Sequence, residues 1–328
     1  MKAFFFSPLV LACRFSLPIL IAISACGPPN SLGQRIESLP TGADYALNRH
    51  GLDGRYEGSP LLAVSNYTGS NITVYDATSG GDPPPKWTLK KRLYGPQGMA
   101  TDAKGDLYVA DADETWIDEY QSGSNVPSVR LDTGKDYCPV DVVVGANDTV
   151  YAAVDNCSQK PTFVGRLLEF SAGSKKPTVT VKTPHEVPSS VALDNNGNVY
   201  LGENPELGGS SGRILEFAPG SRKGTNIGIN GISFVGGIAF DSQDSLYVVD
   251  RVNSLINEYP KGSTNPKLTI TNGLSFPNYI AIDSNDVLYV ANVNGGDASA
   301  YQSGATSPFE TFNKGMNRPE GVALLPSW

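Results

Sequence analysis

Histidine is nearly absent from this chain, with only His50 and His185 among 328 residues. Chemistry that needs several imidazoles, as metal ligands or as a general base with its partner, has almost nothing to draw on. Charge is sparse too, at 18% of residues where about 25% is usual, which argues against coiled coils and disorder. The formal net charge of −8 argues against a nucleic-acid-binding face, so no nucleic acid is expected as a partner. Apolar runs are short. The one after Arg14, Phe15–Ala25, supplies about ten apolar residues where a membrane helix needs about twenty.

What is plentiful is turn chemistry. There are 35 glycines and 24 prolines beside a hydrophobic content of 40%, enough for a large core. That balance favours many short strands joined by tight turns. The N-terminus has a separate logic. Lys2 and Arg14 are the only charges in residues 1–25, followed by the apolar run and small residues, the layout of an export signal. Ile23-Ser-Ala-Cys26 resembles the bacterial lipobox, which implies lipidation of Cys26, an exported protein held at the cell envelope, and a membrane anchor as a partner. Gly27, where an aspartate would retain the protein at the inner membrane, implies outer-membrane or surface sorting by the same resemblance. Acyl chains contribute about 0.8 kcal/mol per buried methylene, so several would hold a soluble domain at the bilayer. Residues 26–60 show no sustained period and read as a tether; His50 lies within it.

From residue 61 the chain repeats. Leu62-Ala-Val-Ser-Asn66, Leu107-Tyr-Val-Ala-Asp111, Val150-Tyr-Ala-Ala-Val154, Val199-Tyr-Leu-Gly-Glu203, Leu246-Tyr-Val-Val-Asp250 and Leu288-Tyr-Val-Ala-Asn292 recur at intervals of 45, 43, 49, 47 and 42 residues. A period in the low-to-mid forties is that of a propeller blade. Each copy except the first is preceded by a motif such as Pro96-Gln-Gly-Met-Ala100. The missing sixth motif, Pro319-Glu-Gly-Val-Ala323, stands at the C-terminus. An aromatic follows each apolar strand (Tyr75, Tyr120, Phe170, Phe217, Tyr259, Tyr301), and a fourth strand closes each unit. The predicted fold is all-β over residues 61–328. It is a six-bladed β-propeller of four antiparallel strands per blade, closed by a C-terminal inner strand that joins the N-terminal blade.

Pro-x-Gly-apolar-Ala-x-Asp followed by Leu-Tyr-Val-Ala-Asp/Asn resembles the NHL-repeat propellers, including lipoproteins of that type, and more distantly the gluconolactonase and senescence-marker propellers. The resemblance covers about residues 61–325. It implies the fold strongly and the activity weakly, because propellers host enzymes and binders alike. Related propeller lyases and hydrolases use several channel histidines, and this propeller has one. His185 and Ser189 lie close together, but no carboxylate is placed to orient them as a catalytic pair. Asp194-Asn-Asn-Gly-Asn198 starts like a calcium loop, yet glycine stands at position 4 and Pro205 at position 12, so it reads as a turn.

The position after the motif's proline holds Gln97, Val140, Ser189, Gly236, Asn278 and Glu320. In the gluconolactonase-like family, asparagine and aspartate at this place bind a divalent ion at the channel mouth, which implies Asn278 and Glu320 as metal candidates here. Val140 and Gly236 supply no side-chain oxygen, so the ring is incomplete. Gln97, Ser189, Asn278 and Glu320 are then expected to line a wet channel mouth. Gln97, Asn278 and Glu320 should converge, and regular alternation should aim Asp141 away from Glu320. Two functions follow. One is a tethered scaffold without cofactor that binds a protein or glycan. The other is a calcium-dependent lactonase or esterase, with the ion polarising an ester carbonyl. Scarce histidine and the incomplete ring favour the scaffold. In an oxidising compartment Cys138 and Cys157 are expected to pair. The hairpin of Pro139–Val144 with Val150–Val154 brings them opposite each other to within one residue.

Overall fold

The computed structural model describes residues 60–157, 164–184, 186–205 and 211–326. Cys26, the tether with His50, and His185 lie outside the described residues.

In chain order the strands are β1 (Leu61–Asn66), β2 (Asn71–Asp76) and β3 (Trp87–Leu89) in blade 1, then β4 (Pro96–Thr101), β5 (Leu107–Asp111), β6 (Trp116–Tyr120) and β7 (Val129–Asp132) in blade 2. Blade 3 holds β8 (Tyr137–Val144), β9 (Val150–Asn156), β10 (Val164–Phe170) and β11 (Val179–Pro184). Blade 4 holds β12 (Glu186–Leu193), β13 (Val199–Pro205), β14 (Arg213–Phe217) and β15 (Thr225–Asn226). Blade 5 holds β16 (Val235–Phe240), β17 (Leu246–Asp250), β18 (Leu255–Tyr259) and β19 (Leu268–Ile270). Blade 6 holds β20 (Pro277–Ile282), β21 (Leu288–Asn292), β22 (Asp297–Tyr301) and β23 (Glu310–Phe312), and β24 (Pro319–Leu325) returns to blade 1. Six four-stranded antiparallel sheets result, the first in the order β24-β1-β2-β3. The mixed-terminus closure read from the repeats is therefore present.

The second strand of a blade has neighbours on both faces, so it reads as a continuous apolar run rather than an alternating one. β1, β5, β17 and β21 are buried at every position. Side chains on opposite faces enter different clusters. Val322 and Leu324 pack with Leu62, Tyr289 and Ala291 between blades 1 and 6, whereas Ala323 and Leu325 pack with Ala63, Leu107 and Val109 between blades 1 and 2. The aromatic closing the third strand is buried in each blade. Three of its hydroxyls tie down a neighbouring linker, with Tyr75, Tyr120 and Tyr301 donating to the carbonyls of Lys314, Lys91 and Asn272.

The turn between first and second strands repeats as well. Asp102, Asp194, Asp241 and Asp283 each accept the backbone N–H groups two and four residues on. The segment at Asp194 is thus a turn. Gly105 and Gly197 hold φ of 85° and 78° at its fourth position, where a β-carbon is disfavoured.

Two sequence expectations need correction. The innermost strand pair of every blade shifts register at the start of the motif, as between Pro96 and Met99 or between Val235 and Ile238, so side chains there do not alternate regularly. A bulge of this kind re-aims side chains at a barrel or propeller rim. In blade 3 it sets Cys138 opposite Asp155, not Cys157. The Cys138–Cys157 disulfide still forms, on the diagonal, with Cα atoms 5.7 Å apart.

Candidate site at the channel mouth

The six inner strands surround an axial cavity of about 70 Å³, lined by Met99–Thr101, Asp141–Val144, Val191–Leu193, Gly237–Ala239, Tyr279–Ala281 and Val322–Leu324. Adjacent inner strands come close at the third motif position. A β-carbon on Gly321 would sit 2.2 Å from the Gln97 carbonyl oxygen, and one on Gly98 would sit 2.0 Å from Asp141 Oδ1. Small residues at some of these positions leave room for Asp141 and Tyr279 at the others. Asp141 accepts hydrogen bonds from the N–H groups of Val142 and Val191, both at 2.9 Å. Burial pushes its carboxyl up to about 8 against those two donors, so it is largely protonated at neutral pH. Burial also raises the Tyr279 phenol well above its usual range, with Asp141 and Glu320 adding to the effect.

Glu320 is absent from the cavity lining and almost fully buried, at 1% exposure. Its Oε2 accepts from Asn278 Nδ2 at 2.7 Å and from Arg251 Nη2 at 3.4 Å. Its Oε1 lies 2.9 Å from Arg318 Nε, a close ion pair without the alignment of a hydrogen bond, so that oxygen has no hydrogen-bond partner among the described residues. Both guanidiniums stack on rings, Arg251 over Phe276 and Arg318 over Tyr67, each at 4.6 Å. Tyr67 donates to Asp113 Oδ1 at 2.6 Å. Burial pulls the Arg251 guanidinium down from its ordinary range, and Glu320 pushes it back up.

Of the four expected mouth residues, Asn278 and Glu320 meet directly. Gln97 meets instead the residue after Asn278, with the Tyr279 hydroxyl donating to Gln97 Oε1 at 3.5 Å. Ser189 is not brought to this cluster. It sits in strand β12 rather than a loop, and its hydroxyl donates to the Gly202 carbonyl within its own blade. Asp141 faces the axial cavity and bonds to blade 4, apart from Glu320's partners, though a bulge and not alternation puts it there. Arg251, Arg318 and Tyr67 are not marked by the motif. Their signal was positional: Tyr67 and Arg251 directly follow the polar residue that ends a second strand, and Arg318 directly precedes the motif's proline.

Chemically this is an ion cluster rather than a base poised for proton transfer. Two guanidiniums and an amide surround the Glu320 carboxylate, with Oε2 hydrogen-bonded and Oε1 held by the Arg318 ion pair alone. Among the described residues, no three His, Cys, Asp or Glu side chains gather as metal ligands. A calcium ion at Glu320 would have to compete with both guanidiniums.

The chain is a six-bladed β-propeller with a largely buried cluster of Glu320, Asn278, Arg251 and Arg318. No family model matches the chain, nor does any curated protein. Solved structures share the fold. A protein of unknown function from Bacteroides caccae superposes with a TM-score of 0.61 at 12% identity, covering 82% of this chain and 100% of its own. Hydrazine synthase from Kuenenia stuttgartiensis gives a TM-score of 0.53 at 13% identity, covering 76% of this chain and 93% of its own.

Proposed function

We propose that this protein is an exported, envelope-tethered propeller of the NHL type that binds a protein or glycan partner at its mouth and catalyses no reaction. The observation that carries this reading is the state of Glu320. A carboxylate that serves a metal or a reacting proton needs to be reachable, and this one is buried and ion-paired to both Arg251 and Arg318. The lipobox-like Ile23–Cys26 segment supports the tether, and scarce histidine supports the absence of turnover.

Calorimetry with calcium and a lactone hydrolysis assay, each on wild type and Glu320→Gln, test it. Neither micromolar calcium binding nor turnover is expected in either protein. Calcium binding or hydrolysis lost in the variant would replace the scaffold by a calcium-dependent lactonase or esterase. Replacing Cys26 by serine should release the protein from membranes. A variant that stays membrane-bound would refute the lipid anchor.

A further inference from the structure

We infer that the mouth is a carboxylate-binding site in which Arg251 and Arg318 receive an acidic group of the ligand and Glu320 is the internal group it competes with. The inference rests on the reading of the mouth as the contact surface. Charge is the first argument. The cluster sets two guanidiniums against one carboxylate, with Asn278 neutral. Asp250, beside Arg251 in sequence, is turned to the N–H groups of Ser233, Phe234 and Asn253 instead. Asp113 lies beyond the Tyr67 ring and is engaged by its hydroxyl, so in direct contact two cations face the one Glu320 carboxylate, which suits a monoanion.

Hydrogen bonding is the second argument. A guanidinium offers five N–H donors. Arg251, with only 11% of its side chain exposed, makes one long bond to Glu320, and its Nε is buried with no partner among the described residues. Buried donors left unmet are costly, and a carboxylate matches the planar fork of arginine. The third argument is backbone strain. Phe276 and Arg318, the residues that stack on one arginine and supply the other, hold φ of 53° and 56° directly before prolines. Bulky residues rarely adopt that conformation, and the position before proline disfavours it further. Strain retained at a site is characteristic of binding geometry. The partial cover of both arginines favours a carboxylate carried on a slender arm, as in an acidic side chain or a uronic acid.

The test is calorimetry on the purified protein with glucuronate, N-acetylglutamate, the uncharged glucuronamide and inorganic phosphate. Both carboxylates should bind and glucuronamide should not; the tighter of the two separates a sugar source from a peptide source. Arg251→Gln and Arg318→Gln should each weaken binding by about tenfold or more. Glu320→Gln should tighten it severalfold, because it removes the competitor, whereas a cation site would weaken. Circular dichroism checks folding. If Arg251→Gln does not fold, Arg318→Gln, whose side chain is 32% exposed, carries the test. Equal affinity for glucuronamide, no carboxylate binding at tens of millimolar, phosphate binding alone, or weaker binding by Glu320→Gln would each overturn the inference. Absent carboxylate binding would leave the non-catalytic scaffold standing. Lactone turnover would remove the scaffold without touching carboxylate binding.

Discussion

Deleting residues 319–328 removes β24, and the structure says what that costs. The strand pairs with β1 from Leu61 opposite Leu325 to Val64 opposite Val322. Val322, Leu324 and Leu325 are at most 3% exposed, and burying each stabilises by roughly 1.5–3 kcal/mol. Together they contribute roughly 5–9 kcal/mol, against a total of roughly 5–15 kcal/mol for a typical fold. The deletion also uncovers two interfaces at once, since alternate residues of β24 pack towards blade 6 and blade 2. The truncated protein should lose its cooperative transition and aggregate. A milder perturbation gives a number. Leu324→Ala should cost roughly 2–5 kcal/mol, lowering Tm by roughly 2–4 °C for each kcal/mol. Scanning calorimetry and urea melts measure both. A truncated protein that melts cooperatively at the full-length temperature would refute closure by β24.

Stability should rise on acidification from pH 8 to pH 5. Burial raises Asp141 to about 8, Asp111 to about 7 and Asp118 to about 6, all above their unfolded value near 3.8. Between the unfolded and folded pKa values the native state keeps a proton that the unfolded chain releases, so each group weakens the fold by up to about 1.4 kcal/mol per pH unit as pH rises. Thermal melts at constant ionic strength should show Tm climbing towards pH 5, and a steady fall over that range would refute the assignment. The second expectation concerns Cys138 and Cys157: alkylation without reductant, read by mass spectrometry, should label neither residue, and modification of either would show a free thiol.

Much of the architecture was legible in the residues themselves because a propeller is repetitive. Each blade must present the same apolar faces to two neighbours, so the Leu-Tyr-Val strand, the closing aromatic and the Asp turn recur with one period. The displaced Pro319–Ala323 motif announced the closure. These are local patterns whose physical requirement is the same in every copy. The mouth was legible only in part, since it depends on where copies differ. Asn278 and Glu320 could be matched by motif position. The bulges at the start of each motif could not, because they arise from the twist and crowding of six inner strands around one axis. Those bulges set Cys138 opposite Asp155 and took Asp141 to the axis. Arg318 is a near neighbour of Glu320 in the chain, but Arg251 stands 69 residues from it, and only the closed ring sets that second guanidinium against the carboxylate. That convergence holds the Glu320 carboxylate between two cations, an environment its motif position alone did not disclose.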